Sequence, residues 1–536
     1  IDVTTRKPKS DTYHGYLDMD LWDVGMLIEG PLPGIFKKGS FALSLRRSWI
    51  DSVIRPVDKY VDGIEIGVAP VYYDYQAILS HPIAGGDLKL LFFGSDDRLV
   101  ILKDNIEPYR TDFQKLLGIW SRKWGKNSLK ASLSFGISRT IFEAPQNDFN
   151  VDYTFYRTVW RLDYTRKFTK DFKIAMGLDG NYLDAGITVR RSVIVGGDDY
   201  NDDFRDPFGS WSVTFKAKTL RQAAWLEGDW TLFDRLSLYP GVRLDFWNDE
   251  QGSHYTVDPR FTAKYEVIKK KLDLKAGVGV YTQSPSFFLL QKDIGNPNLQ
   301  HESSIHYSLG TRWQALRSMS LSMTGFYKLL YGLVAETDAS YLTPEGEERR
   351  LNYQNTGYGR IYGMEFLLKK DNSIQCPGLL GFKKCFGWLS YTLLRSERKD
   401  TKDGEWYLFD FDQTHILTAI FSGQWGNGWT FGVRFRFTSG NPTTPYVSGF
   451  YNSDRGEYVG IQGKYNSDRL PNFHQLDMRL DKKFVFNRWS LTLYLDVQNV
   501  YYNQATEFLI YNFNYTKRTT LSGLPIVPSF GIKGSF

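Results

Sequence analysis

Hydrophobic and polar residues alternate along many stretches of the chain. In residues 236–246, one side of an extended strand would carry the apolar set Leu236, Leu238, Val242, Leu244 and Phe246. Residues 272–281 and 489–498 repeat the pattern. A period of two predicts β-strands. It fits both a soluble sandwich and a membrane barrel with its apolar face towards lipid, so periodicity alone leaves both folds open.

The lengths of the connections favour the membrane barrel. Short connections, such as 126–128, 169–170 and 317–318, alternate with long ones, such as 194–209, 446–470 and 503–522. Short turns on one side and long loops on the other are typical of outer-membrane barrels. Tryptophans near the short turns predict one aromatic girdle, made of Trp124, Trp230, Trp313, Trp388, Trp425, Trp429 and Trp489. Tryptophans near the long loops predict a second girdle, made of Trp22, Trp49, Trp247 and Trp406.

The alternation yields about 22 strands, with predicted starts at residues 14, 24, 40, 71, 87, 113, 128, 153, 171, 211, 236, 256, 272, 304, 319, 353, 386, 414, 429, 471, 489 and 524. An even number places both chain ends on the short-turn, periplasmic side. Strands about 4.8 Å apart and tilted by about 40° close into a barrel roughly 44 Å across. We therefore predict an all-β fold, a transmembrane antiparallel up-and-down β-barrel with short periplasmic turns and long extracellular loops.

Composition narrows the possible functions. Aromatic residues make up 16% of the chain, as expected for strand faces and membrane interfaces. The formal net charge is only +6, with no polybasic tail, which argues against a nucleic-acid partner. No nucleophile elbow, P-loop or CxxC motif is present, so we expect no enzyme and no cofactor. The chain begins at Ile1 without a signal peptide, and we expect a mature protein or a fragment of a longer one.

Several short motifs follow one another between residues 236 and 536. They are Gly-Val-Arg-Leu-Asp at 241–245, Asp-Pro-Arg-Phe at 258–261, Gly-Asn-Pro-Asn-Leu at 295–299 followed by Glu302, Asp-Gln-Thr-His at 412–415, Arg-Leu-Pro at 469–471 with Leu-Asp-Met-Arg at 476–479, and Leu-Asp-Val-Gln-Asn-Val at 495–500. Their order resembles the barrel domain of TonB-dependent transporters, which are receptors in the outer membrane of Gram-negative bacteria. The terminal Phe536 resembles the aromatic end that the barrel-assembly machinery recognises.

The resemblance also implies a domain boundary. Residues 1–6 resemble the last strand of the family's N-terminal plug, so we expect residues 1–12 to be the plug–barrel junction and residues 13–536 the barrel. The plug and the TonB box that precede this point in the family are absent from this chain. A trimmed barrel, a cleaved or disordered plug, and a plug on a separate polypeptide all remain open.

The resemblance implies energised uptake of a scarce nutrient, with siderophore, cobalamin, glycan and peptide undetermined. The alternative is a plugless barrel that serves as a port or structural anchor of a larger secretion or envelope complex. Expected partners are outer-membrane lipid or lipopolysaccharide, a plug, TonB through an upstream box, the barrel-assembly machinery and other envelope proteins.

Two sets of side chains are candidates for ligand or plug contacts. In the outer loops, aromatic residues suited to binding a ligand are Trp406, Tyr407, Phe450, Tyr451, Tyr458 and Tyr465. Residues 451–455 and 465–469 repeat the same five residues, Tyr-Asn-Ser-Asp-Arg, and their two arms alternatively pair as a hairpin. In the lumen, the candidates are Arg243, Asp245, Arg260, Arg312, Glu365 and Asp496, and most of these charges are expected to form cross-strand salt bridges.

The cysteines and the possible metal ligands say less about the function. Cys376 and Cys385, nine positions apart and the only cysteines of the chain, predict a periplasmic disulfide, with free thiols as the alternative. His301 and His306 lack the helical spacing of a zinc protease site. One acidic loop is a weak candidate for calcium binding, and we favour a solvated loop there. Its candidate ligands are Asp198, Asp199, Asp202 and Asp203.

Overall fold

The computed structural model describes residues 5–52, 68–101, 106–144, 149–191, 211–249, 252–291, 295–337, 340–342, 348–350, 352–371, 376, 380–453, 457–523 and 525–536. Most of these residues belong to strands or to the turns between them. Within these ranges, two 3₁₀ helices, Gly34–Phe36 and Phe287–Leu290, lie in the connections. Among the described residues, no helix is long and apolar enough to cross a membrane.

Twenty-two antiparallel strands close into one barrel, which confirms the predicted fold. In chain order, β1 to β22 are His14–Met19, Asp23–Pro31, Ser40–Ser48, Val68–Ile83, Gly86–Ile101, Ile106–Trp124, Asn127–Ala144, Phe149–Lys167, Phe172–Arg191, Trp211–Leu232, Leu236–Asp249, Gly252–Ile268, Leu272–Gln283, Glu302–Leu316, Met319–Glu336, Tyr353–Lys370, Lys384–Lys399, His415–Gln424, Trp429–Thr438, Phe473–Val485, Ser490–Gln498 and Val527–Ser535. Each strand pairs with the next, and β1 closes the barrel against β22.

Shorter strands lie in the outer loops. Tyr407–Leu408 pairs with the end of β17 and extends the sheet. Four small two-stranded sheets pair Ser340–Leu342 with Glu348–Arg350, Pro442–Thr443 with Asp468–Arg469, Tyr446–Asn452 with Glu457–Gln462, and Thr506–Tyr511 with Arg518–Ser522. The predicted strand starts lie within a few residues of the observed ones. The largest difference is at β6, which begins at Ile106 rather than at residue 113, because residues 106–112 mix polar and apolar side chains on both faces.

Strand length differs sharply around the barrel. The strand β10 has 22 residues, whereas β18 and β19 have 10 each. A membrane crossing needs about 9–11 residues, so the long strands from β4 to β10 rise beyond the membrane. The connections 102–105 and 145–148 on that side are correspondingly short. The longest loops, 439–472 and 499–526, follow the short strands β19 and β21.

Side chains alternate between an apolar outer surface and a polar lumen. On β7, Leu133, Phe135 and Ile137 point outward and are about half exposed on the isolated barrel. In a membrane these side chains contact lipid, which removes their apolar surface from water. The described hydrophobic clusters are small, such as that of Ala42, Ile78 and Leu91. The apolar surface that stabilises this fold therefore lies outside the sheet.

The two aromatic girdles differ in composition. Exposed tryptophans mark the short-turn side, namely Trp124, Trp230, Trp313, Trp429 and Trp489. The predicted tryptophan girdle on the long-loop side is wrong for Trp247, whose ring lies inside the barrel, 4.7 Å from His301 and 4.2 Å from the guanidinium of Arg221. Trp247 lies two positions after Asp245 on the same strand, so its side chain points inward as that of Asp245 does. Outward tyrosines occupy that level instead, among them Tyr156, Tyr182, Tyr307, Tyr327 and Tyr362.

The predicted disulfide is present and joins Cys376 to Cys385 at the base of β17. Beside it, Phe382 is buried, with its ring centroid 4.4 Å from that of Trp425 and 5.5 Å from that of Phe421. Phe421 lies on the outward face of β18. The described residues of this connection, Cys376 and 380–383, are thus held against the outer wall at the short-turn end of the barrel.

The seam between the first and last strands is short. Its register runs from Tyr16 opposite Ser535 to Met19 opposite Ile532. Two further hydrogen bonds join Gly15 and Phe536, from each backbone amide to the other residue's carbonyl at 3.1 and 2.9 Å. A Cβ on Gly15 would lie 2.7 Å from the Phe536 ring. The terminal aromatic residue therefore packs directly over a glycine of the first strand.

We predict that Gly15→Ala weakens barrel closure, because its Cβ would overlap the Phe536 ring. Overpacking of this kind costs about 1–3 kcal/mol. The measurement is the fraction of compact, heat-modifiable barrel and its unfolding temperature. Gly534→Ala, on the same seam, is the matched control because a Cβ there meets open space. Equal stability of the two variants would contradict the prediction.

The disulfide tests the orientation of the barrel. After reduction, the thiols of Cys376 and Cys385 should resist a membrane-impermeant maleimide added to intact cells, and should react once the outer membrane is permeabilised. A single cysteine introduced at Ser448, an exposed residue of the longest outer loop, is the positive control, measured in a variant without the native pair. Labelling of the native thiols from outside would reverse the predicted sides.

Candidate ligand-binding loops and lumen

The inner wall of β9 to β11 carries a compact network of ion pairs. Arg243 donates from both η nitrogens to Asp179 at 2.7 Å and from Nε to Asp245 at 2.8 Å. Asp245 is buried, and it also accepts a 2.7 Å hydrogen bond from Nε of Arg221. Each carboxylate therefore faces guanidinium donors, which offsets the cost of burying its charge. The network joins three strands across the wall.

A recess of about 540 Å³ opens beside this network, lined in part by Gly241, Gly277 and Gly279. The missing side chains of these glycines leave room in the wall. Arg260 lies over the ring of Tyr281 at 4.5 Å, and the His306 ring stacks on the same tyrosine at 4.4 Å. Nearby, Arg161 lies over the ring of Trp225 at 5.4 Å. Accessible guanidinium groups and aromatic faces thus line one cavity of the lumen.

The six lumen residues predicted from the sequence do not form one site. Arg243 and Arg260 line the recess, and Asp245 binds Arg243 beside it. Asp496 lies on β21, 3.6 Å from Arg479 of β20. The remaining two, Arg312 on β14 and Glu365 on β16, share the inward period of their strands but lie outside the recess.

The sequence did not reveal Arg161, Asp179 and Arg221 as partners in this region. Asp179 lies 64 positions before Arg243, and only the strand register brings them together. One sequence signal could have pointed to Arg161. It lies two positions before Asp163, and the two side chains form a salt bridge of 2.7 Å. The same spacing joins Arg243 to Asp245 and Arg479 to Asp481, at 2.8 and 2.9 Å.

A buried carboxylate ties two outer loops together at the lumen side. Asp412 is fully buried and accepts a 2.6 Å hydrogen bond from the backbone amide of Ser396. Arg469, from the loop 439–472, forms a salt bridge with this carboxylate. The same guanidinium donates to the carbonyls of Asp412 and Gly440, at 2.7 and 3.0 Å. Loop 400–414 is therefore fastened to loop 439–472.

Tyr465 and Asn466 strengthen this fastening. The Tyr465 hydroxyl donates to Asp410 at 2.7 Å, and the Asn466 amide donates to Asp410 at 2.6 Å and to the Leu408 carbonyl at 2.8 Å. Burial and the bond to Asp410 raise the pKa of Tyr465 to about 12. Its hydroxyl therefore stays a donor at neutral pH. The ring of Tyr407 meets that of Tyr465 edge-on at 5.1 Å.

Tyrosines also join the two longest loops. The ring of Tyr446, on the hairpin 446–462, lies 5.0 Å from Tyr511 and 4.7 Å from Tyr515 of the hairpin 506–522. Two glycines allow the close approach, since a Cβ on Gly449 or Gly460 would lie 3.1 or 2.7 Å from the Tyr515 ring. Arg518 of the second hairpin also binds Asp468, the neighbour of Arg469, at 2.7 Å. Three loops thus form one interlocked unit.

The predicted ligand-binding aromatics occupy three different places. Tyr407 and Tyr465 belong to the fastening between loops. Phe450, Tyr451 and Tyr458 lie on the outer hairpin, where the last two rings are 5.3 Å apart and all three remain exposed. Trp406 packs over Arg360 at 4.3 Å, away from the hairpin. Their role in binding stays a prediction.

The two Tyr-Asn-Ser-Asp-Arg repeats have different surroundings. The repeat at 465–469 supplies the fastening contacts, whereas the described part of the first repeat, 451–453, ends the exposed strand Tyr446–Asn452. Asp454 and Arg455 lie outside the described residues, as do the calcium candidates Asp198, Asp199, Asp202 and Asp203. Elsewhere in the described chain, no group of three or more His, Cys, Asp or Glu side chains is arranged to hold a metal ion.

The N-terminal segment lies against the inner wall of the first strands. Arg6 binds the buried carboxylate of Glu29 at 2.5 Å, and the Lys9 amide donates to the same carboxylate at 3.0 Å. The Lys89 ammonium donates to the Thr5 carbonyl at 3.0 Å. This segment covers part of the expected junction 1–12, whose identity stays a prediction.

Solved structures share this architecture. The siderophore receptor PirA from Acinetobacter baumannii superposes with a TM-score of 0.67 at 12% identity, over 99% of this chain and 81% of that one. The ferric enterobactin receptor PfeA from Pseudomonas aeruginosa gives 0.69 at 13% identity, over 99% and 82%. The ferric yersiniabactin uptake receptor FyuA from Yersinia pestis gives 0.69 at 13%, over 99% and 81%. At such identities the likeness establishes the fold alone.

The family is identified from the sequence rather than from the fold. No curated protein sequence matches the chain. Residues 67–500 match the family model described as TonB dependent receptor-like, beta-barrel. That match covers most of the barrel and includes the motifs at 241–245, 258–261, 295–299, 412–415 and 469–479. The chain therefore belongs to the family of TonB-dependent receptor β-barrels of the bacterial outer membrane.

Proposed function

We propose that this barrel takes up a scarce nutrient across the outer membrane in a TonB-dependent manner. The observation that carries the proposal is the interlocked unit of loops 400–414, 439–472 and 499–526. Their contacts hold an exposed aromatic hairpin at the extracellular end of the barrel. A binding surface that is ordered before the ligand arrives loses less conformational entropy on binding.

Capture of the ligand would begin at the hairpin. The exposed rings of Phe450, Tyr451 and Tyr458 offer apolar faces, and the two tyrosines add hydroxyl groups. Aromatic faces with polar tips suit a glycan, a peptide or an aromatic chelate. Siderophore, cobalamin, glycan and peptide therefore stay within the proposal, since the named ligands of PirA, PfeA and FyuA belong to proteins of low identity.

Passage would then follow a wall of compensated charge. Arg243 and Asp245 are engaged by each other and by neighbours, so they brace the wall. Arg161 and Arg260 are more exposed, and the Arg260 guanidinium is 3.8 Å from its nearest carboxylate, on Asp258. These two arginines are the groups that a ligand, or a plug filling the lumen, would contact.

Several partners complete the proposal. Energy would come from TonB through a box upstream of this chain, and a plug would close the lumen against leakage. The barrel-assembly machinery would recognise the end of β22 at Phe536. Other envelope proteins would be required only in the alternative, in which the barrel is a permanently open port or anchor.

We predict that the double variant Tyr451→Ala/Tyr458→Ala loses uptake. Truncating two aromatic contacts at a binding surface costs about 2 kcal/mol or more, hence a roughly 30-fold loss of affinity. The measurement is growth of a complemented deletion strain on ferric citrate, ferric enterobactin, cobalamin, an oligosaccharide and a peptide, each as the limiting source. Tyr255→Ala is the control, since Tyr255 is an exposed tyrosine of the outer wall.

Loss of growth in the double variant alone, on one nutrient, supports ligand capture by the hairpin. Unchanged growth on that nutrient would remove the hairpin from the binding site. Deletion of the TonB box from the natural gene separates the mechanism from the site. Growth that persists without the box would reject energised uptake.

Conductance in a planar bilayer distinguishes the receptor from the open port. We expect the natural full-length protein to be almost silent, because a plug fills the lumen, and to conduct strongly after the plug is deleted. A steady, large conductance from the full-length protein would favour the port and reject the receptor.

A further inference from the structure

A cluster of cations lies on the outer wall of the barrel, on β16 and β17. On β17, Arg395 and Glu397 continue the outward series that begins with Leu389 and Leu393. On β16, Arg360 lies opposite Glu397 in the register. Because side chains alternate along a strand, all three face away from the lumen. They belong to the surface that meets lipid rather than to the transport path.

The height of this cluster coincides with the extracellular membrane boundary. The strand β17 begins at Lys384 on the short-turn side, so the span of about 9–11 residues that crosses a membrane ends close to Arg395. Directly opposite Arg395 is Tyr362, an outward tyrosine at the level of the upper aromatic girdle. Below it, the outward pair Met364 and Leu393 is apolar. The cations therefore lie where lipid headgroups lie.

Glu397 organises the cluster. Its buried carboxylate accepts from Nε of Arg360 at 2.6 Å and from Nε of Arg395 at 2.7 Å. Both guanidinium groups are bound through Nε, which orients their η nitrogens for a further acceptor. Arg360 also packs on Trp406 at 4.3 Å, and the Lys399 ammonium is 5.1 Å from the same ring. Two guanidinium groups thus share one carboxylate and Lys399 adds a third cation beside them, which leaves positive charge in excess.

Two other groups of charges on the upper outer wall are paired. On β5 and β6, Asp96 binds Arg98 at 2.8 Å and Arg110 at 2.9 Å, while Arg98 also approaches Glu107 at 3.3 Å. Further along the wall, Arg139 forms a salt bridge with Asp152. Within each of these groups the opposite charges neutralise one another. In the Arg360–Arg395 cluster, by contrast, one carboxylate faces two guanidinium groups, which suits the cluster to an external anion.

Nearby acidic groups do not cancel the excess. Asp400 accepts the Tyr407 hydroxyl at 2.6 Å, and Glu405 binds Lys464 of the neighbouring loop at 2.9 Å. The pKa of Glu405 is lowered by that bond, so it remains an anion committed to Lys464. Phosphate oxygens match the fork of guanidinium donors.

We propose that Arg360, Arg395 and Lys399 bind a phosphate group on the lipid A part of lipopolysaccharide, the anionic glycolipid of the outer leaflet. Its acyl chains would pack on Tyr362, Met364 and Leu393 below. The site is independent of nutrient uptake, since it lies on the opposite face of the wall from the lumen. Because Trp406 of loop 400–414 packs on Arg360, the bound lipid also supports the base of the interlocked loops.

The test compares lipid retained by the complete chain purified from outer membranes. Arg360→Gln/Arg395→Gln should retain several-fold less lipopolysaccharide per barrel than wild type, measured by native mass spectrometry. Arg139→Gln is the matched control, because Arg139 is an outward arginine already paired with Asp152. Heat-modifiable mobility verifies that each barrel is closed. Equal retention in the double variant and the control overturns the proposal.

A second measurement uses wild-type protein alone and so does not depend on the folding of a variant. Delipidated barrel is titrated with bisphosphorylated lipid A, with dephosphorylated lipid A and with phosphatidylglycerol. We expect bisphosphorylated lipid A to bind at least about tenfold more tightly than the dephosphorylated form. Equal binding of the two forms removes the phosphate site. Equal binding of phosphatidylglycerol shows a general anionic surface and overturns the assignment to lipid A.

Discussion

The structure depends on one constraint, that backbone amides and carbonyls have no water to bond within a membrane. A sheet meets this constraint only if it has no free edge, so the first and last strands must pair. Closure fixes everything else about the wall. It sends apolar side chains outward, forces polar ones into a shared interior, and leaves only the connections and the strand ends beyond the membrane free to differ in length.

The interior charges follow from closure. The side chains that point inward need polar partners, and the pairs of Arg243 with Asp179 and Asp245 show how they find them on neighbouring strands. Such pairs cost little there because each charge is compensated where it lies. The result is a polar wall in which many charges are paired and some guanidinium groups, such as that of Arg260, are left accessible.

Much of the fold could be predicted from the sequence because lipid-facing strands leave a period of two. The predicted starts of β11, β13 and β19 agree with the structure to the residue, and the pairing of Cys376 with Cys385 follows from their isolation. The predicted start of β6 is wrong because both faces of a strand are exposed to water above the membrane. The alternation of apolar and polar residues is therefore weaker there. The prediction for Trp247 is wrong because proximity to a loop says nothing about which face a residue occupies.

The candidate site was less predictable, since it depends on contacts between distant segments. Tyr451 and Tyr465 stand in identical five-residue repeats, yet one lies on an exposed hairpin and the other bonds Asp410 in a neighbouring loop. Arg221 meets Asp245 only because β10 and β11 pair in one particular register. Local pattern cannot specify such partners.

The seam between β1 and β22 has a consequence for the folding of the molecule. Residues 16–19 find their partners at 532–535, nearly the whole chain away. Until those last residues are available, the growing sheet has two unpaired edges, which are templates for wrong association. Closure is therefore the slowest contact by topology, and the pairing of β22 with β1 decides whether the other strands become a barrel or an aggregate.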